Sequence, residues 1–225
     1  MWTASRAKIA SKSGASMTTE TICGQAGSWG GPEVGRPFHL EHHPAFIDQS
    51  TEWYLDRDTG VLTYQAPPGV NPNNHRFTIP KLEGLILIQG TSGTPVQNLV
   101  FEGLSLQHTS WEPTPLDYTG NQHCYKQDGS SNWYIVPPAI ALIFAENCRF
   151  ERCHVANLAG MGIGLNKNCD DNQIVNCEFY DIGGQGIMSG WRGDLNTGKV
   201  HGTGTFATDW PSPSDAPQRN IISNN

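Results

Sequence analysis

The chain has 225 residues, with 14 basic and 21 acidic side chains and a formal net charge of −7. This length allows one sizeable domain with a continuous apolar core, and 25 glycines and 15 prolines beside only 16% charged residues favour a strand-rich, turn-dense fold. The acidic balance without a Lys/Arg cluster argues against a nucleic-acid partner, and the longest nearly apolar run, residues 135–145, is too short for the roughly 20 residues of a membrane-spanning helix.

Residues 1–30 are rich in Ser, Thr, Ala and Lys, which bury too little surface to order themselves. They predict a disordered arm outside the fold. The segment also lacks the continuous apolar stretch and small-residue cleavage site of a secretory signal. The sequence therefore leaves the compartment unknown.

Residues 31–84 predict a small β-hairpin element. Apolar residues alternate within residues 52–64, around an Asp-Thr-Gly turn at 58–60, which is a strong hairpin signal. The Pro/Asn-rich stretch 66–75 then predicts a loop that leads into the next element.

Residues 85–225 contain an internal repeat, which is most evident between the segments that begin at Asn147 and Asn172. Equivalent residues at an offset of 24 are Cys153 with Cys177, Val155 with Phe179, Asn157 with Asp181, and Ile163 with Ile187. The outer offsets are 49 and 48, so a coil at each end of the repeat carries an extra loop, at 109–138 and 190–219. The offset of 24 residues is typical of one coil of a β-helix, and the outer offsets equal about two coils.

Apolar residues within each coil alternate, as in Cys153-x-Val155 and Ile163-x-Leu165, which is the pattern of half-buried strands. We therefore predict an all-β chain whose residues 85–225 form a right-handed parallel β-helix. Such coils bury their inward faces only by stacking on neighbours. Because the sequence stops at residue 225, just after Ile221 and Ile222, without a polar cap, it predicts a solenoid truncated at its C-terminus.

The six cysteines form no CxxC pair and no Cys/His spacing suited to zinc, so no metal and no cofactor are expected. Cys153 and Cys177 occupy equivalent repeat positions. Two stacked, buried thiols are favoured there over a disulfide, although spacing alone does not decide between them.

Four segments carry a family resemblance. EWYLDRDTGVLTY, LEGLILIQGTSGTPVQNLVFEGLSLQHTSW, CRFERCHVANLAGMGIGL and CEFYDIGGQGI together resemble bacterial right-handed parallel β-helix proteins related to glycoside hydrolases with α-L-fucosidase or xylanase activity. The resemblance covers residues 38–225. It implies a polysaccharide or oligosaccharide partner, and secretion or periplasmic export of the intact relatives.

Glycoside hydrolysis usually needs two carboxyl groups. Asp181 is the best single catalytic candidate, because it lies at a strand end and the resemblance implies a position along the groove. The alternative, at even weight, is a turn residue that caps backbone N–H groups, since Asn157 at the equivalent place serves only a turn. The next equivalent position falls four residues beyond Asn225, and Glu178, Asp194 and Asp209 are weaker candidates that are more simply interpreted as surface carboxylates.

Sugar binding calls for aromatic platforms beside polar groups. Trp191, Trp111 and Tyr118 are the candidate substrate-binding aromatics, although aromatics in long loops more often pin the loop. His108 is a further candidate as a ligand or general base, against the commoner role of a histidine packed at a coil corner.

The leading hypothesis is a fragment of a glycoside hydrolase that acts on polysaccharide, whose activity in isolation is uncertain. A non-catalytic glycan-binding or scaffold module is the alternative. A polysaccharide lyase ranks last, because it would need acids clustered on adjacent strands and the Asp170–Asp171 pair is isolated.

Overall fold

The structure is a computed structural model that describes residues 7–20, 35, 37–111, 125–127, 133–190 and 213–225. The strands in chain order are β1 (Ile9–Ser13), β2 (Ser16–Thr19), β3 (Trp53–Leu55), β4 (Leu62–Tyr64), β5 (Ile86–Gln89), β6 (Val96–Gln97), β7 (Val100–Glu102), β8 (Ser105–Thr109), β9 (Tyr125–Gln127), β10 (Trp133–Ile135), β11 (Pro138–Ile143), β12 (Ala145–Glu146), β13 (Arg149–Glu151), β14 (His154–Leu158), β15 (Met161–Leu165), β16 (Gln173–Val175), β17 (Glu178–Ile182), β18 (Ile187–Ser189) and β19 (Ile221–Ser223). Short 3₁₀ turns lie at Pro44–Phe46, Pro72–Asn74 and Pro213–Asp215. The described part of the chain is therefore all-β, as predicted.

Parallel sheets form most of this structure. Their strand orders are β18-β15-β11-β5, β19-β16-β13-β7, β17-β14-β8 and the two-stranded β12-β6. The predicted register is confirmed, because Val155 pairs with Phe179 in parallel and Ile174 pairs with Ile222. The repeat read from the sequence thus sets which strands are hydrogen-bonded neighbours.

Most single residues with positive φ lie between consecutive strands or one residue before a strand ends. Many of them fall into three rows of register-equivalent positions: Asn98, Asn147, Asp171 and Arg219; Gly103, Arg152, Asn176 and Asn224; and His108, Asn157 and Asp181. Asn, Asp, His and Gly tolerate this left-handed conformation better than other residues. The chain therefore changes direction at the same place in each repeat.

One buried cluster takes side chains from all three larger sheets. Phe150, 1% exposed, lies in it, and its ring stacks on that of Phe101 with centroids 4.7 Å apart and an interplanar angle of 8°. Ile140 and Ile163 come from a second sheet and Val155 from the third, all fully buried. The three larger sheets therefore share a common core.

Asparagine amides connect neighbouring turns. Asn172, 1% exposed, accepts a hydrogen bond from the Cys148 N–H at 2.9 Å and donates one to the Ala145 carbonyl at 2.9 Å. Asn220 repeats the arrangement one strand further, since it accepts from the Asn172 N–H at 2.9 Å. These amides satisfy the N–H groups of Cys148 and Asn172 just before β13 and β16 begin.

Contacts divide the chain into two compact units, of which Glu33–Ile79 is the smaller. Within it β3 and β4 pair antiparallel, which confirms the predicted hairpin. The Asp56 carboxylate accepts hydrogen bonds from the N–H groups of Asp58 and Thr59, and the Thr59 bond is the main cause that lowers the pKa of Asp56. Gly60, with φ of 71°, completes the turn.

Two antiparallel pairs lie in segments for which the sequence predicted no strands. Strands β1 and β2 pair within residues 1–30, the predicted disordered arm, and β9 pairs with β10 within the first long loop. The residues of β1 and β2 are all exposed, so they lack the alternating burial on which the strand predictions depended. The boundaries at 1–30, 31–84 and 85–225 stay predictions.

Four cysteines of the described residues, Cys148, Cys153, Cys169 and Cys177, are buried free thiols. This confirms the favoured interpretation of Cys153 and Cys177. Burial raises the pKa of Cys169 to about 12. Because the thiolate is the nucleophile, we expect iodoacetamide at pH 8 to leave Cys169 unmodified in the folded protein and to alkylate it in urea, as read by peptide mass spectrometry. Alkylation without denaturant would contradict this burial.

No helix in the described ranges is both long and apolar enough to span a membrane.

Candidate functional site

Two of the predicted site residues lie in one row on the outer face of the three-stranded sheet β8-β14-β17. The register pairs Ala156 with Gln107 on one side and with Tyr180 on the other. One residue further along each strand, His108, Asn157 and Asp181 therefore occupy equivalent positions. We call these three residues the polar row; their φ angles are 63°, 52° and 50°.

Asp181 has the backbone of a turn residue and an exposed side chain. Its positive φ agrees with the turn interpretation. Its carboxylate does not cap the turn, however, because no described group forms a hydrogen bond or ion pair with it. Gly183 follows closely, and a Cβ there would lie 2.2 Å from the Ala159 carbonyl oxygen, so the backbone after Asp181 is packed against the preceding repeat.

His108 also differs from its alternative interpretation. It lies one residue before the end of β8 with φ of 63°, and its side chain is exposed rather than packed. It therefore borders the same open surface as Asp181, two strands away.

A second row beside the polar row centres on His154 of β14. Its Nδ1 lies 2.9 Å from Gln107 Nε2 and 3.2 Å from Ser105 Oγ, both on β8. Its Nε2 lies 3.8 Å from Glu178 Oε2 on β17. The imidazole is therefore held between the two flanking strands.

The tautomer of His154 follows from these contacts. Gln107 Oε1 accepts from Asn157 Nδ2 at 3.3 Å, which turns the Gln107 amide nitrogen toward His154. An amide N–H only donates, so Nδ1 of His154 is an acceptor and the ring proton sits on Nε2, which faces the Glu178 carboxylate.

Tyr180 supplies an aromatic surface between the two rows. Its ring centroid lies 4.9 Å from that of His154, with a 42° tilt, and the residue is 47% exposed. On β14 the equivalent position is Ala156, which is buried and small. The face thus offers a partly exposed ring beside hydrogen-bonding groups, a combination that suits the apolar face and hydroxyls of a sugar.

Of the remaining site predictions, Trp111 alone lies within the described residues. Trp111 is half-buried just after β8. Trp191 and Tyr118 lie outside the described residues, as do the weaker candidates Asp194 and Asp209. Their roles stay predictions.

Sequence reasoning missed His154, Tyr180 and Gln107, although the signal was present. Aligning Ser-Leu-Gln-His at 105–108, His-Val-Ala-Asn at 154–157 and Glu-Phe-Tyr-Asp at 178–181 shows a polar residue at both outer positions of each segment. The sequence analysis considered the aromatics of the long loops and not those on the strands, where a single outward residue is usually ordinary surface.

The chemistry available on this face is that of carboxylates, imidazoles, amides and a phenol. Strands β8, β14 and β17 contain no Lys or Arg. Across the described residues, no group of three or more His, Cys, Asp or Glu side chains is placed to hold a metal ion. The face is thus suited to acid–base chemistry and hydrogen bonding rather than to recognition of anions.

Fold and face together define an all-β protein of parallel sheets with a polar, partly aromatic outer surface. A solved structure named "Glycoside hydrolase" is similar to this chain with a TM-score of 0.61 and 19% sequence identity. The match covers 81% of this chain and 43% of that chain, so this chain spans less than half of the length of that protein. No protein-family model matches the sequence, and a search of curated proteins finds no match. At this identity the similarity concerns the fold alone.

Proposed function

We propose that the chain is part of a carbohydrate-active, right-handed parallel β-helix protein, a glycoside hydrolase that acts on polysaccharide or oligosaccharide, with Asp181 as one of its two acids. The polar row beside Tyr180 is the observation that carries the proposal. It sets an exposed carboxylate next to a partly exposed ring. The sequence resemblance to glycoside hydrolases with α-L-fucosidase or xylanase activity supports the same proposal.

Two features support the β-helix itself. Neighbouring strands in the sheets β19-β16-β13-β7 and β17-β14-β8 are 24, 48 or 49 residues apart along the chain, as in Val155 with Phe179 and Ile174 with Ile222. The offsets in the sheet β18-β15-β11-β5 are 24, 23 and 54. In addition, the three rows of positive-φ residues recur every five residues, at 98, 103 and 108 in the first repeat. Single residues of positive φ at regular intervals can turn the chain from one strand to the next, which a coil with three faces requires.

Asp181→Asn tests the catalytic assignment. The substitution keeps the side-chain shape and a residue tolerant of positive φ, but it removes the acid. General acid–base groups contribute roughly 10²–10⁴-fold to rate, so we expect hydrolysis of aryl fucosides or xylan to fall by about that factor. Initial rates of reducing-sugar or aryl-alcohol release measure it.

Asp171→Asn is the matched control, because Asp171 also has positive φ but lies in a different row, paired with Arg219. Activity should stay close to that of the unmodified protein. Undiminished turnover in Asp181→Asn would remove Asp181 from the site.

A non-catalytic glycan-binding module is the second candidate. The ring pair of Tyr180 and His154 favours it, since stacking and hydrogen bonding suffice for binding. Glycan binding by the unmodified protein without any turnover of the same glycans would select this function over hydrolysis. A lyase is the least supported, because the described strands of this face, β8, β14 and β17, contain no Lys or Arg to act as base.

A further inference from the structure

We propose that Glu178 is the second catalytic carboxylate and that His154 is its positioning residue, an inference that rests on the proposed hydrolase function. The sequence alone favoured a surface carboxylate at Glu178 and sought the partner of Asp181 beyond residue 225. The geometry of the outer face points instead to a pair within one strand.

Glu178 and Asp181 stand on either side of Tyr180 in β17. The burial pattern of the strand alternates at Glu178, Phe179 and Tyr180, and the positive φ of Asp181 then keeps Asp181 exposed next to Tyr180. Both carboxylates therefore border the surface over which the Tyr180 ring lies. A sugar stacked on that ring would have a carboxylate at each end.

His154 faces Glu178 from the neighbouring strand, close enough for an ion pair though not for a hydrogen bond. Gln107 and Ser105 fix the Nδ1 side of the imidazole, and the Nε2–H is left to face Glu178 Oε2 at 3.8 Å. Asp181 has no such partner among the described residues. The two carboxylates thus have different surroundings, as two different roles in one reaction require.

The spacing predicts the stereochemical outcome. Three residues of extended strand, at about 3.3 Å each, place the two α-carbons roughly 10 Å apart. Carboxyl groups lie about 6.5–9.5 Å apart in inverting glycosidases and about 5–5.5 Å apart in retaining ones. An α-carbon spacing of this size leaves room for a water molecule between the side chains, so the proposal takes the wider, inverting arrangement, with a water between Glu178 and the sugar.

In this reaction the protonated carboxyl of Asp181 gives its proton to the glycosidic oxygen, and the C1–O bond breaks with both electrons going to that oxygen. A water molecule attacks C1 from the opposite face and loses its proton to the Glu178 carboxylate. The products are the freed alcohol and a sugar of inverted configuration at C1. One water is consumed, and the two acids return to their starting states by exchange of a proton with solvent.

The test compares Glu178→Ala and His154→Gln with the unmodified protein and with Glu102→Gln, a control carboxylate on another sheet that is paired with Arg152. We expect kcat of Glu178→Ala to fall by about 10²–10⁴-fold and to recover partly in sodium azide, with a glycosyl azide as product. His154→Gln should lower kcat with little change in KM and shift the pH profile. Glu102→Gln should keep its activity, and proton NMR of the unmodified reaction should show the inverted anomer first.

Four results would overturn the inference. Glu178→Ala that keeps full activity, or that azide does not rescue, removes Glu178 from catalysis, and a first product with retained configuration removes the water-activating role. If one of these three results is obtained and Asp181→Asn is nevertheless inactive, the proposed hydrolase function survives, but Glu178 is not the second acid. If the folded, unmodified protein cleaves no glycan, both the proposed function and this inference fail.

Discussion

Phe150→Ala is expected to lower the free energy of unfolding by about 3–5 kcal/mol, the usual cost of deleting a buried aromatic side chain. Phe150 is 1% exposed and stacks on Phe101, and its strand lies between two parallel neighbours. The ring therefore bridges successive repeats. Truncation removes its contacts with both neighbours and leaves a cavity that strands held in register on each side cannot close.

Urea unfolding followed by circular dichroism measures this change, with Val100→Ala as the control. Val100 is 61% exposed on the neighbouring strand β7. Surface substitutions of this kind usually change stability by no more than about 0.5 kcal/mol. Equal effects of the two substitutions would mean that the parallel sheets do not share a packed interior.

Asn172→Ala is expected to lower the free energy of unfolding by about 1–3 kcal/mol, although it removes only a small polar side chain. The Asn172 amide is the partner of the Cys148 N–H, whereas the Ala145 carbonyl also accepts a hydrogen bond from the Asp170 N–H and keeps it. A buried group left unpaired costs about 1–3 kcal/mol. The penalty therefore comes mainly from the Cys148 N–H, which loses its partner.

Asn74→Ala is the control for Asn172, because Asn74 is exposed in a 3₁₀ turn of the smaller unit. It should leave the unfolding midpoint almost unchanged. A loss of stability in Asn172→Ala no larger than in this control would show that water, rather than the amide, satisfies the Cys148 N–H.

The register could be predicted from the sequence because inward residues recur. Val155 and Phe179 are apolar at the same repeat position, and burial selects such residues whichever repeat they occupy. The positions with positive φ were only partly predictable. Asn and Asp mark most of them, but Arg152 and Arg219 also take positive φ, and their neighbours rather than their own preference place them there.

The candidate site was predictable in one row and not in the other. Asp181 could be found because a carboxylate before two glycines stands out, and its equivalence with Asn157 followed from the repeat. His154 and Tyr180 could not be singled out by residue type, because single outward residues on strands are usually ordinary surface. Their importance arises from contacts across strands, which appear only once the register is fixed.

Equivalent positions on neighbouring strands form continuous rows, and the candidate site consists of residues in these rows. A histidine pair tests it directly, because Asn157→His would stand beside the native His108 in the polar row, about 4.8 Å away across adjacent strands. Two imidazoles at that spacing chelate Ni²⁺.

The measurement is the gain in unfolding free energy on adding Ni²⁺, compared with the unmodified protein and with Asn176→His, whose row contains no histidine. At a Ni²⁺ concentration about 100 times the dissociation constant we expect a gain of about 2.7 kcal/mol for Asn157→His alone. No gain beyond that of the two comparison proteins would contradict the row and the site that depends on it.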